Sequence, residues 1–211
     1  MVSLDDQKLF WKDLVMGPPE QKPHIVGIGG TYRSGSTSLW SLSRALEAAA
    51  RAGATTELID LAKLDVPMFR PRVQLSDSDP NAEHLLEAVH RADGLLLSTA
   101  AYHGALAGVT KNALDYFEFL SGGERPYLTD RTVGLIATAG GDMAGVNAAN
   151  AMVHVVHSLR GRVAPLIVSI PYAGRSIGLA GESAKPRWID KLDKLGELVI
   201  EMTVVPERVN V

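Results

Sequence analysis

Between residues 24 and 51 the chain passes from a compact apolar run, through a loop of glycines and hydroxyls, into a helical pattern. The run His24-Ile-Val-Gly-Ile-Gly29 has the character of a strand buried on both faces. Leu39, Leu42, Leu46 and Ala49 then recur at the spacing of one helix face. A buried strand that feeds a helix through so short a loop belongs to a layered α/β architecture.

The loop itself reads Gly30-Thr-Tyr-Arg-Ser-Gly-Ser-Thr-Ser38, one cation and five aliphatic hydroxyls where a helix begins. A helix N-terminus carries unpaired N–H groups and the positive end of the dipole, so it receives an anion readily. Arg33 adds a charge-assisted contact of the kind that grips phosphate. Two related motifs fail here. A P-loop requires lysine where Ser36 stands, so the charge for a triphosphate is missing. A dinucleotide fingerprint requires a third glycine where Tyr32 stands, after Gly27 and Gly29. Hydroxyls with one arginine suit a single terminal monophosphate. The alternative is an ordinary N-cap, for which Ser and Thr are favoured anyway, though a cap needs one hydroxyl.

Strand and helix patterns alternate from Pro23 onward. Strands are expected near 24–29, 55–61, 93–98, 132–137 and 163–169, and helices near 36–52, 80–91, 108–120, 145–160 and 186–202. Residues 1–22 read as an N-terminal extension in which Leu4, Phe10, Trp11, Leu14 and Val15 suggest a short helix. Residues 23–211 read as one domain. Five strands interleaved with five helices imply a five-stranded parallel sheet with helices on both faces, a three-layer sandwich. In such sheets ligands sit at the carboxyl ends of the strands. The loops at those ends are the chemically unusual ones. They are the hydroxyl loop, Thr99-Ala-Ala-Tyr-His-Gly104, and Thr138-Ala-Gly-Gly-Asp142.

Composition narrows the partners. The 211 residues are 46% hydrophobic and carry a net charge of −3, which gives no electrostatic reason to expect nucleic acid or an anionic membrane. There is no cysteine, so thiolate chemistry, disulfides and cysteine metal sites are excluded. No apolar run approaches the roughly 18 residues of a membrane span. The N-terminus lacks an uninterrupted apolar stretch, and a soluble cytoplasmic protein is the expectation.

Three blocks carry a family resemblance: Gly30–Ser38, then Tyr102-His-Gly104 with Gly108-Val-Thr-Lys-Asn-Ala-Leu-Asp115, then Thr138-Ala-Gly-Gly141. In order and spacing the chain resembles the NAD(P)H-dependent FMN reductases, which include azoreductases, quinone reductases and the flavin suppliers of monooxygenases. The resemblance implies a flavodoxin-like fold and FMN reduction by hydride from NADPH or NADH to flavin N5. It implies that Thr31, Arg33, Ser36, Thr37 and Ser38 hold the FMN phosphate. Ala101, Tyr102, His103 and Gly104 would flank the isoalloxazine, and Thr138, Ala139, Gly140 and Gly141 would meet its pyrimidine edge. It also implies a homodimer or homotetramer, and a flavin-dependent monooxygenase as a partner. One departure stands out: the family often has proline and then a second, frequently acidic, residue before the tyrosine, where this chain has Ala100 and Ala101. The alternatives are an FMN-containing azo or quinone reductase, and a flavodoxin-like electron carrier without nicotinamide activity. Carriers of that kind tend to be strongly acidic, and this chain is not.

No protein nucleophile or metal is expected, since a flavin carries its own redox chemistry. His154 and His157 share a helix face without an evident third ligand. Lys111, Asn112 and Asp115 are expected to cap, pair or contact a neighbouring subunit, and Asp60 to be structural. Val109, Leu114, Phe117 and Leu120, with Val146, Met152, Val153 and Val156, offer apolar surface for a subunit contact.

Overall fold

The computed structural model describes residues 22–71 and 79–203. The N-terminal extension expected over 1–22 lies outside the described residues, apart from Lys22. Five parallel strands form the sheet: β1 (His24–Gly29), β2 (Thr55–Asp60), β3 (Gly94–Tyr102), β5 (Thr132–Thr138) and β6 (Arg162–Ile170). Their order is β2-β1-β3-β5-β6. This is the five-stranded parallel sheet expected; a two-residue sixth strand, β4 (Ala105–Leu106), pairs antiparallel with the end of β3.

Helices α1 (Thr37–Arg51) and α7 (Pro186–Glu201) cover one face. Leu42, Ala45 and Leu46 meet Leu192, Leu195 and Val199 there, over Ile25, Leu96 and Ile136 of the sheet. The two helices approach so closely that a Cβ on Gly196 would lie 2.2 Å from the carbonyl oxygen of Ala45. Helices α3 (Pro80–Arg91), α4 (Gly108–Asp115) and α5 (Asp142–Ser158) cover the other face through Leu85, Leu114, Met152 and Val156. Between these elements lie two short helices, α2 (Leu61–Leu64) and α6 (Ala173–Ser176). The helix expected over 108–120 changes at Tyr116 into a tighter 3₁₀ turn that runs to Leu120.

Much of the apolar surface expected at a subunit contact is core. Leu114, Phe117, Met152 and Val156 are all buried within the chain, and Val146 alone of that set is exposed.

At the amino ends of the strands Arg131 and Asp93 are bound by backbone groups, while the buried Nε and Nη2 of the neighbouring Arg125 have no hydrogen-bond partner among the described residues. Arg131 is only 1% exposed. Its guanidinium donates to the carbonyls of Ala92 at 3.0 Å, Tyr127 at 3.1 Å and His90 at 2.9 Å. Burial, with the neighbouring Arg125 charge, pushes its pKa down to about 10, while Asp93 opposes the shift. Asp93 in turn accepts from the backbone N–H of His24 at 2.8 Å.

Candidate functional site

The loop after β1 turns twice through backbone that glycine tolerates, at Gly30 (φ 99°) and Gly35 (φ 65°). Between them the hydroxyls form a chain. Thr31 Oγ1 donates to Ser36 Oγ at 3.3 Å, and Ser36 Oγ lies 3.0 Å from Ser38 Oγ. Ser36 is also the N-cap of α1, accepting from Leu39 N at 3.3 Å. The cap and the hydroxyl cluster are therefore the same structure, and the two sequence readings are not rivals. Ser38 is fully buried and does not line the cleft; it holds Ser36 from behind. Arg33 is exposed, and no described residue binds its guanidinium.

The segment after β3 is a tight hairpin. Tyr102 pairs with Ala105 across His103 (φ 51°) and Gly104 (φ 79°), two central residues at positive φ as a two-residue hairpin turn requires. Thr99 anchors its base: Oγ1 accepts from Ala107 N, donates to Ala100 O and shares a hydroxyl–hydroxyl contact with Thr110 Oγ1, all at 3.0 Å. Ala101 and Tyr102 line the cleft, whereas His103 and Gly104 form the turn and do not.

Thr138 ends β5, and Ala139 and Gly140 follow it into the cleft wall. Gly141 is the N-cap of α5 in extended backbone and lies outside the lining. Among the described residues nothing stands within 4 Å of a Cβ built on Gly140 or Gly141, so their packing does not demand glycine at either place. The first and third loops touch: Thr37 Oγ1 donates to Thr138 Oγ1 at 3.4 Å.

A fourth wall was not legible in the sequence. The chain beyond β6 folds back over the hydroxyl loop, with Ala180 N 3.4 Å from Gly35 O. Ala173, Gly174 and Leu179 line the cleft as a result. Tyr172 stands at the rim with left-handed backbone (φ 48°), an uncommon state for a bulky residue. Its hydroxyl donates to Asp142 Oδ2 at 2.7 Å, which raises its pKa, and Arg175 lies 4.6 Å over its ring. The only sequence signal was the loose arginine at 175, with nothing to fix its place.

The four loops enclose a cleft of about 140 Å³ at the carboxyl ends of β1, β3, β5 and β6. It lies at the switch in strand order, where ligands bind in open α/β sheets. Its lining holds Arg33 and the hydroxyls of Thr31, Ser36, Thr37 and Thr138, and no carboxylate. Such a donor set fits a phosphate. The open space at Gly140, which a side chain would fill, fits a flat ring edge brought close to backbone. By both tests the residues present fit FMN.

The remaining candidates have structural partners. Asn112 Oδ1 accepts from Phe69 N at 2.8 Å, and Nδ2 donates to Pro67 O at 2.8 Å, which fastens the β2–α3 connection onto α4. Lys111 pairs with Asp115 one turn along. Asp60 caps α2 by accepting from Ala62 N at 3.1 Å. His154 and His157 are exposed, and the described residues contain no group of three or more side chains placed to hold a metal. No described helix is long and apolar enough to cross a membrane.

Comparison with known proteins agrees with this geometry. Residues 23–174 match the family model described as NADPH-dependent FMN reductase. An NADPH azoreductase from Bacillus sp. strain OY1-2 is 34% identical over 139 residues, 66% of this chain and 74% of that protein. An NAD(P)H-dependent FMN reductase from Pseudomonas aeruginosa is 34% identical over 92 residues, 44% of this chain and 48% of that protein. The apo crystal structure of an NADH:FMN oxidoreductase superposes with a TM-score of 0.68 at 18% identity. That superposition covers 88% of this chain and 92% of the other, a likeness of fold. The match runs from just before β1 into the start of α6, so it takes in every residue lining the cleft except Leu179. The chain belongs to the NADPH-dependent FMN reductase family.

Proposed function

We propose that this protein reduces FMN with NAD(P)H, holding the flavin in the cleft formed by the loops after β1, β3 and β5. The observation that carries the reading is the polarity of that cleft. One end presents Arg33, Ser36 and Thr37 with no carboxylate, and the other presents Gly140 with open space above its backbone. When bound, FMN supplies the hydride-accepting ring, and no protein nucleophile is needed. The chain's part is to bind and to orient. Arg33 neutralises the phosphate, and the N-terminus of α1 adds its dipole. Tyr102 offers an aromatic face beside the ring. Backbone N–H groups of the 140–141 turn are donors for negative charge on the pyrimidine edge, an arrangement preorganised before the reaction.

A volume of about 140 Å³ is below the roughly 300–1,000 Å³ of a site that engulfs its ligand. A cleft of that size would leave a face of the ring accessible to nicotinamide and then to an acceptor. The identity to an NADPH azoreductase favours azo or quinone compounds as acceptors, with free reduced FMN for a monooxygenase as the second reading. Tyr102, Met143 and Val146 are exposed near this mouth, and the hairpin tip lies beside α5, with Asn147 3.8 Å from a Cβ on Gly104. A second copy of the chain covering these apolar groups would complete the site, so we infer a homodimer. Stopped-flow absorbance tests the function: mixing the FMN-loaded protein with NADPH or NADH should bleach the flavin band within seconds. No bleaching with either nucleotide would overturn the reading in favour of a carrier.

A further inference from the structure

Helix α5 begins directly after the Gly140-Gly141 turn in the wall of the cleft. No described residue accepts from the backbone N–H of Gly140 or Gly141, and Gly141 caps the helix without a side-chain bond. The first side chain of the helix is a carboxylate, Asp142. An acid at that position ordinarily settles on the helix N-terminus, where N–H groups and dipole are both positive. Here Asp142 Oδ2 accepts instead from the Tyr172 hydroxyl at 2.7 Å, and no described backbone N–H donates to the carboxylate. The carboxylate raises the Tyr172 pKa, so the hydroxyl keeps its proton and stays a donor.

Tyr172 is held firmly for this contact. Its left-handed backbone (φ 48°) is unfavourable for a residue with a Cβ, and Arg175 lies 4.6 Å over its ring. On either side of it the backbone is tied to the turn: Ala139 N donates to Ile170 O at 3.0 Å, and Ala173 N donates to Ala139 O at 2.8 Å. We propose that Tyr172 is a positioning residue for flavin reduction. It holds the Asp142 carboxylate off the α5 N-terminus and so reserves the N–H groups of Gly140 and Gly141 for the ring. The proposal rests on the reading of that turn as the partner of the pyrimidine edge. Negative charge gathers on that edge on reduction, and a carboxylate settled on the same helix end would oppose it. A like charge within about 4–6 Å shifts such an equilibrium by about tenfold or more. A tyrosine that merely tied two loops together would have no such effect.

The test is the two-electron midpoint potential of bound FMN, read against a reference dye. It is measured in wild type, in Tyr172→Phe, and in the double variant Tyr172→Phe with Asp142→Ala. Tyr172→Phe keeps the ring beneath Arg175 and removes only the hydroxyl. Reduced FMN should then bind about tenfold less tightly relative to oxidised FMN, a fall in potential of about 30 mV. Removing the carboxylate as well should return the potential to within about 10 mV of wild type. The melting temperature of flavin-free Tyr172→Phe should stay within about 2 °C of wild type, because the freed carboxylate stabilises the helix end instead. A Tyr172→Phe potential within about 10 mV of wild type would overturn the inference. So would a double variant with a potential as low as the single one, or a melting temperature lower by more than about 5 °C, the mark of a structural strut. In each of these cases FMN binding by wild type leaves the reading of the cleft intact. Failure of wild type to bind FMN would overturn both.

Discussion

The two ends of the sheet use polar residues in opposite ways. At the amino ends, Arg131 spends its guanidinium on three backbone carbonyls, and Asp93 takes the His24 amide. At the carboxyl ends, no described residue binds the Arg33 guanidinium, and the hydroxyls of Thr31, Ser36 and Thr37 bind one another, Ser38, Thr138 and the backbone N–H groups of Arg33 and Leu39. A buried group must find its partners within the chain, because an unmet donor or acceptor is costly. A group that keeps its capacity in reserve is placed for something that arrives later. The same residue type is thus a structural member at 131 and a residue with an unbound guanidinium at 33, where we propose that it binds phosphate, and only its surroundings distinguish the two.

The largest expected effect comes from breaking the amino-end network. Arg131→Met strips partners from three carbonyls and should destabilise the fold by about 3–5 kcal/mol. For a chain of this size that lowers the melting temperature by about 6–20 °C. FMN affinity per folded molecule should not change. A melting temperature within 2 °C of wild type would mean that the network is not structural.

At the opposite end the signs reverse. Gly140→Val adds a side chain where the protein has open space, so stability should move by no more than about 0.5 kcal/mol. Single-turnover reduction of FMN by NADPH should nevertheless fall by about 100-fold, since small misplacements of reacting groups cost rate steeply. An unchanged rate in the folded variant would remove this turn from the site.

Ser38 sharpens the boundary between the two behaviours, because it is buried and yet serves the loop. Ser38→Ala deletes its contact to Ser36 and should cost about 1 kcal/mol of stability. FMN affinity should weaken by about fivefold through the loosened Ser36. A loss of affinity as large as that from removing Arg33 would place Ser38 in direct contact with the ligand.

Much of this was legible in the sequence, because hydrophobic periodicity follows burial directly. The five main strands begin within a residue or so of the expected places, and the loop at 30–38 announced itself by hydroxyls at a helix start. The last strand, expected over 163–169, is Arg162–Ile170, with Pro165 on the outer edge of the sheet, where it is tolerated. Two features escaped for identifiable reasons. The hairpin at 103–104 has histidine at a positive-φ position more often held by Asn, Asp or Gly, so β3 was expected to stop at Ser98 rather than Tyr102. The fourth wall at 173–179 depends on the docking of residue 180 against residue 35, a long-range contact that no local pattern encodes. The family resemblance grouped His103, Gly104 and Gly141 with the flavin site, and they lie just outside the lining of the cleft. In the fold they shape turns beside it.

The central claim is that Arg33 is held in reserve for the flavin phosphate. The direct measurement is the affinity of FMN and of riboflavin, which lacks the phosphate, for wild type and Arg33→Ala. Wild type should prefer FMN. Arg33→Ala should weaken FMN by about 10- to 150-fold, the equivalent of roughly 1.5–3 kcal/mol for a charged hydrogen bond, and leave riboflavin unchanged. Equal loss for both ligands, or no loss for FMN, would contradict the account.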